Sequence, residues 1–251
     1  MDLGLSGKTY VLTGASRGLG FATAQCLVAD GARVVISARD QARVDAAVDA
    51  LGSAAVGLAA DLRDPATAAR LAEAAHDTFG RLDGALLSVG GPPRTTAAGA
   101  TDEQWRDAFE TVFLGAIRAA RTIAAQLPYG GAIALVLSSS AKEPVKGLGL
   151  SNGLRPGLAG AAKDMADELG PRGIRVLSLL PHRILTDRNI ELFAATGDAA
   201  KARAEAEASI PLGRLGDPAE FGRVAAFALS PAASYLTGIS IPVDGGALRG
   251  W

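Results

Sequence analysis

A spaced run of glycines near the start of the chain, Thr13-Gly14-Ala15-Ser16-Arg17-Gly18-Leu19-Gly20, restricts the available folds more than any other feature. It separates a short apolar run, residues 8–13, from a longer amphipathic one, residues 19–29. Short apolar runs read as buried strands, and longer ones with helical spacing as helices. A strand passing into a helix through a tight glycine turn opens a βαβ unit.

The same alternation repeats to the end of the chain. Strands are predicted at residues 33–37, 54–60, 82–88, 132–137, 174–180 and 239–243. Between them lie helices through Val44 and Val48, from Pro65 to about Phe79, and from a Thr101/Gln104 capping box to near Leu127. Further helices cover about 158–169 and run from Asp217-Pro218 through Leu229, while the polar, alanine-rich segment 184–208 forms helices outside the sheet. Crossovers of helical length impose parallel pairing of right-handed sense. The expectation is an α/β fold. One domain, residues 1–251, is built as a Rossmann-type, doubly wound, seven-stranded parallel sheet with helices on both faces. In it, 184–208 is a helical insertion on the substrate side.

Composition narrows the class. Of 251 residues, 49% are apolar, enough for a buried sheet, and the net charge of −1 gives no basic field for nucleic acid or acidic lipid. The single Cys26 forms no internal disulfide and reads as a small core side chain. No basic leader followed by an apolar stretch is evident, no apolar run reaches membrane-span length, and no His/Cys cluster has metal-ligand spacing. A cytoplasmic protein with no metal is expected.

The glycine turn carries a specific chemistry. Gly14 permits the sharp turn, Gly18 lets backbone approach a pyrophosphate, and Gly20 lets helix and strand pack closely, with Ser16 and Leu19 between them. The helix start then offers free amides and a positive dipole end to phosphate. A carboxylate at the end of the second strand would hold ribose hydroxyls and repel a 2′-phosphate. That strand ends Ser37-Ala38-Arg39, so Arg39 and Arg17 can converge on a phosphate, and the cofactor read is NADP. Asp40 reads as a helix cap. Asp61, ending strand three, can accept from an adenine amino group or simply cap. Gly90-Gly91 leaves room for ribose. Pro181 closes strand six at the carboxyl edge of the sheet, and Ile184 and Thr186 follow where nicotinamide would lie.

These residues resemble the short-chain dehydrogenase/reductase family, in particular its 3-oxoacyl-carrier-protein reductase-like members. The likeness extends through Asp61-Leu62, Gly90, Ser138-Ser139, Gly173-Ile174-Arg175-Val176, Ile210-Pro211-Leu212-Gly213-Arg214-Leu215-Gly216-Asp217-Pro218, and Leu236-Thr237-Gly238 with Val243-Asp244-Gly245-Gly246. It implies hydride transfer between nicotinamide and a carbonyl or alcohol carbon of a small-molecule substrate. It also implies a homotetramer or homodimer built on the fourth and fifth helices. The family's active site uses Asn, Ser, Tyr and Lys. Here Ser138 matches the serine, with Ser139 and Ser140 leaving the register open by one, but the tyrosine position holds Ser151, the lysine position Arg155 and the asparagine position Val112. The family's Asn-Asn-Ala-Gly reads Leu87-Ser88-Val89-Gly90, and its Pro-Gly after strand six reads Pro181-His182.

A serine hydroxyl is a far weaker acid than a phenol, and an arginine does not tune a proton as lysine does. Ser151 and Arg155 share a helix face only if the helix begins before Pro156; a helix kinked at Pro156 that includes 151–155 is expected over one that starts at Pro156. His182 is the best replacement acid by chemistry, with Lys142 second. His76 and the three tyrosines, Tyr10, Tyr129 and Tyr235, read as solvated or structural. On the substrate side, Arg94, Arg183 and Arg188 could meet an anion or only solvent, and no substrate is read from them. The expected function is an NADP(H)-dependent oxidoreductase with a non-standard proton donor, in which Ser138 orients the carbonyl, Arg155 fixes the nicotinamide ribose, and Ser151, His182 or water handles the proton. The alternatives are a non-redox enzyme, a cofactor-binding regulatory protein (a pseudoenzyme on the same fold), or a silent subunit of a hetero-oligomer.

Overall fold

The computed structural model describes residues 2–250. Seven strands form one parallel sheet: β1 (Thr9–Thr13), β2 (Arg33–Ala38), β3 (Ala55–Ala59), β4 (Gly84–Ser88), β5 (Ala132–Val136), β6 (Arg175–Pro181) and β7 (Ser240–Val243). Their spatial order is β3-β2-β1-β4-β5-β6-β7, so the chain reverses its direction of travel across the sheet between β1 and β4. That reversal opens a crevice at the carboxyl ends of these two strands. β1 and the first four residues of β5 are fully buried, as expected of central strands covered on both faces.

Two apolar layers cover the sheet. On one face α1 (Gly18–Ala29), α2 (Gln41–Leu51) and α9 (Pro218–Leu229) bury Leu27, Val44, Phe221 and Ala225. On the other, α3 (Thr67–Phe79), α5 (Gly115–Ala124) and α6 (Gly149–Leu169) bury Leu71, Ala120, Ile123 and Leu158. Outside the sheet, α7 (Asp187–Ala194) and α8 (Ala199–Ala208) form the expected insertion, with a small core around Phe193 and Ile210.

Local chemistry sets several boundaries as expected. Thr101 and Gln104 form a reciprocal capping box before α4 (Asp102–Ala108), and Asp217 and Glu220 form a second one before α9. Other expectations need correction. Pro65 lies ahead of α3, whose first residue is Thr67. The single long helix of the 101–127 region is broken by a π-helical turn, Phe109–Leu114, before α5 resumes. The helix expected from residue 158 starts nine residues earlier, at Gly149, and carries Pro156 inside it. Cys26 is only half-buried.

Candidate active site

A cleft of about 1500 Å³ lies over the carboxyl ends of the central strands, and every expected cofactor and catalytic residue lines it except the second-choice acid, Lys142. A smaller cavity of about 460 Å³, bordered by Lys8, Asp83 and Arg175, is lined by none of them.

The first wall is the β1–α1 turn. Gly14 holds φ +59°, and a methyl group there would lie 2.8 Å from the Ser88 carbonyl oxygen. Gly20 has no room for a side chain, since a methyl would lie 2.6 Å from the Gly14 carbonyl oxygen. Thr13, unremarked in the sequence, fastens the turn to β4. Its Oγ1 donates to the Ser88 carbonyl at 2.9 Å and accepts from the Ser88 amide at 2.9 Å. At the α1 start, Arg17 makes no side-chain cap and the first turn carries no acidic residue. The leading amides therefore face the cleft without an intramolecular anion. Gly18 and Leu19 are half-buried, as is Ser16.

Arg17 and Arg39 are both exposed at this wall. Arg17 reaches toward Asp187 and Glu191 of α7, at 3.9 and 3.7 Å. Arg39 forms no ion pair among the described residues. Asp40 caps α2 through the Arg43 amide. Asp61 Oδ1 accepts from the Arg63 amide at 3.0 Å, a local turn contact six residues ahead of α3. Leu62 packs on the core, and Gly90 takes φ +69° at the turn after β4.

Serines and a histidine gather at the far end. A short 3₁₀ turn, Ser139–Ala141, aims three successive hydroxyls apart. Ser138 Oγ accepts from the Ser140 amide at 3.1 Å. Ser139 Oγ lies 2.8 Å from His182 Nδ1, and Ser140 Oγ lies 2.8 Å from Ser151 Oγ. The serine run was visible in the sequence, but its pairing with positions 43 and 11 residues away was not. Burial, and then the Arg183 guanidinium, push the His182 pKa below its ordinary value, while Asp244 and Glu143 pull it back up.

Because α6 begins at Gly149, Ser151 and Arg155 share one face, four residues apart. Both are buried. Arg155 Nη1 donates to the Val136 carbonyl at 2.7 Å and Nη2 to the Gly90 carbonyl at 2.5 Å, tying α6 to the ends of β5 and β4. Its Nε has no partner among the described residues. Burial, reinforced by Arg188, lowers its pKa to about 10, so the guanidinium remains charged at neutral pH.

The expected minor candidates fall away. Lys142 is exposed and does not line the cleft, and His76 is exposed on α3. Tyr10 belongs to β1 and is buried in the core that α1, α2 and α9 cover, while Tyr129 and Tyr235 are exposed away from the cleft. No cluster of three metal-ligating side chains occurs among the described residues, and no described helix is long and apolar enough to cross a membrane. Pro181 is half-buried at the end of β6. Ile184 is buried, with its backbone bridged to Gly216, and Thr186 caps α7 opposite Gly18.

Comparison with known proteins agrees with this geometry. The family model described as Enoyl-(Acyl carrier protein) reductase matches residues 14–247. The 3-oxoacyl-[acyl-carrier-protein] reductase FabG of Vibrio cholerae is 30% identical over 246 residues, covering 97% of this chain and 98% of that protein. L-Sorbose reductase from Gluconobacter frateurii, complexed with NADPH and L-sorbose, superposes with a TM-score of 0.93 at 29% identity over the whole of both chains. The NADPH-bound short chain oxidoreductase of Pseudomonas aeruginosa PAO1, which contains an atypical catalytic center, gives a TM-score of 0.90 at 32% identity, covering 97% and 98% of the two chains. The strand order, the glycine turn at the reversal point and these matches over nearly the full length place the chain in the short-chain dehydrogenase/reductase family of oxidoreductases.

Proposed function

We propose that the protein is an NADP(H)-dependent oxidoreductase that moves hydride between nicotinamide and a carbonyl or alcohol carbon, with a proton donor other than the family's tyrosine. One observation carries this reading: an uncapped helix start behind a glycine turn shares a cleft with Ser138 and the Ser139–His182 pair. The alternative of cofactor binding without turnover has its own support. Ser151 and Arg155 are both committed to protein partners, Ser140 and two carbonyls.

NADPH, when bound, supplies the hydride. The α1 amides and the space left by Gly14 and Gly20 suit its pyrophosphate. Arg17 and Arg39 suit the 2′-phosphate. The long surface pairs of Arg17 with Asp187 and Glu191 are weak enough to exchange. Asp61 and Leu62 border the adenine, Gly90 the ribose, and Pro181, Ile184 and Thr186 the nicotinamide. Arg155 acts as a fixed anchor beneath the ribose. Ser138 already accepts a hydrogen bond from the Ser140 amide, so its own O–H is free to donate to a substrate carbonyl oxygen. His182 is held by Ser139 at Nδ1 and manages the substrate proton. The family's dimer or tetramer contact would use the α4–α5 face, where Phe109 stacks on Phe113 yet remains 44% exposed.

Calorimetry with NADPH and NADH tests the cofactor, and transfer of a C4 deuterium label to a ketone tests the chemistry. Arg39→Asp should weaken NADPH about tenfold to a hundredfold, the worth of one charged hydrogen-bonding partner, and change NADH less. Failure of both nucleotides to bind at millimolar concentration refutes the proposal. NADPH binding without label transfer leaves the turnover-free alternative standing.

A further inference from the structure

Three arginines enter the cleft from three separate segments. Arg94 follows β4, Arg183 follows β6, and Arg188 lies in α7. Among the described residues none of them forms an ion pair within 4.0 Å. Arg188 donates to the carbonyls of Gly91 (3.0 Å) and Pro92 (3.2 Å), strapping α7 across the loop after β4. The guanidinium groups of Arg94 and Arg183 make no hydrogen bond among the described residues. Of the nearby carboxylates, Asp244 accepts from the amides of Gly246 and Leu248 and Glu143 from those of Arg249 and Gly250, while Asp187 and Glu191 of α7 face Arg17, and Glu191 partly offsets the charge of Arg188 without pairing with it. Beneath this wall lies the buried Arg155, also without a carboxylate and with Nε unpartnered.

Gathering like charges in a partly enclosed space is unfavourable unless an anion completes it. The strain is visible in two ways. Burial and the charge of Arg94 both depress the pKa of Arg183 and Arg188. Arg183 also adopts φ +51°, the one described non-glycine residue in the left-handed region, so the backbone bends unfavourably to place it. The cofactor's phosphates do not account for the group. They have their own receptors in the α1 amides, Arg17 and Arg39. The Arg94 guanidinium instead leans on the loop before α6, with Nη2 3.6 Å from where a side chain at Gly147 would begin. That loop leads directly to Ser151.

We infer that Arg94 and Arg183, backed by Arg188, bind a compact oxyanion carried by the substrate, so that the cleft takes acidic carbonyl compounds rather than neutral ketones. The inference rests on the reductase reading for the word substrate, but the anion subsite itself is testable without it. Planar guanidinium forks suit carboxylate and phosphate alike.

The experiment compares matched probes bound to the full chain, with and without saturating NADP⁺. The pairs are 2-oxobutyrate against its methyl ester, and dihydroxyacetone phosphate against dihydroxyacetone. At least one acid should bind about tenfold or more tightly than its neutral partner, in keeping with a charged hydrogen bond, and the favoured pair distinguishes carboxylate from phosphate. Arg94→Gln, at an exposed side chain, should remove about tenfold of that preference. Arg183→Asn, which tolerates the left-handed backbone, should do the same. Equal binding within both pairs, or a preference that survives both substitutions, overturns the subsite. An anion preference without NADPH oxidation keeps the subsite and sinks the reductase reading. Oxidation of NADPH by neutral and acidic carbonyls alike does the reverse.

Discussion

Gly20→Ala should separate the cofactor turn from the rest of the fold. A methyl group there lies 2.6 Å from the Gly14 carbonyl oxygen, 2.8 Å from Ala15 Cα and 3.1 Å from the Gly14 carbonyl carbon. Ordinary contact begins near 3.4 Å, so the turn must open by roughly 0.6–0.8 Å against backbone atoms that cannot rotate away. Overpacking of this kind costs about 1–3 kcal/mol. The substitution recovers about 0.8–1 kcal/mol of helix propensity. The net loss is then about 0–2 kcal/mol, and in a chain of this size each kcal/mol lowers Tm by about 2–4 °C. Binding should suffer more than stability, because the displaced atoms belong to the turn that presents the α1 amides. We expect a Tm drop of no more than about 8 °C, but an NADPH Kd raised by about tenfold or more. Differential scanning calorimetry and nucleotide titration of the same preparation measure both. A variant that melts with the parent and binds NADPH equally well would refute the argument that close packing at Gly20 shapes the phosphate cradle.

Two further outcomes bear on the chemistry. Burial and Arg183 hold the His182 imidazolium pKa below its ordinary value, so the ring is mostly neutral above pH 7. Ketone reduction needs the protonated ring and should fall about tenfold per pH unit in that range. Alcohol oxidation needs the neutral ring and should be level there. His182→Gln should erase the slope and cost about 10²–10⁴ in reduction, and a slope that persists in the variant removes His182 from the proton path. Ser151→Tyr combined with Arg155→Lys would, on the proposed reading, place the family's pair on the helix face that the two residues already share, and should raise ketone reduction about tenfold or more. If the double variant keeps its fold by circular dichroism and gains nothing, the cleft does not present a carbonyl above that face.

What the sequence disclosed and what it withheld follow from the range of the interactions. The alternating runs and the glycine turn were legible because periodicity and tight turns are local properties. So was the Thr101/Gln104 cap, whose partners sit three residues apart. The start of α6 was legible only in part: a helix kinked at Pro156 and reaching back through 151–155 was the favoured reading, but its first residue, Gly149, was not fixed. Pro156, Gly153 and Gly157 all weaken a helix locally, yet α6 runs through them from Gly149. Tertiary packing decides the matter. Leu150, Leu154 and Leu158 are buried along one side. The two glycines let Trp105 and Phe113 press close on the helix, where a methyl would meet their rings at 2.7 and 3.1 Å. Those rings approach from the segment that contains the π-helical turn. The glycines that weaken the helix locally are therefore the ones that dock it.

The same distinction explains the active-site residues. Ser138 and His182 could be named from their positions in the chain, but the Ser139–His182 contact joins residues that only the β5–β6 pairing brings side by side. Arg155 is the sharper case. As a substitute for lysine it reads as a loss, since it cannot tune a neighbouring acid. In place, its fork reaches two carbonyls on different strand ends, which a single ammonium could not do with the same geometry. With no phenol at position 151 there is no acid for a lysine to tune. A guanidinium that fixes α6 against β4 and β5 would suit a site whose proton is managed at position 182, as proposed. On this argument the two replacements are coupled, and restoring either one alone should recover less than restoring both.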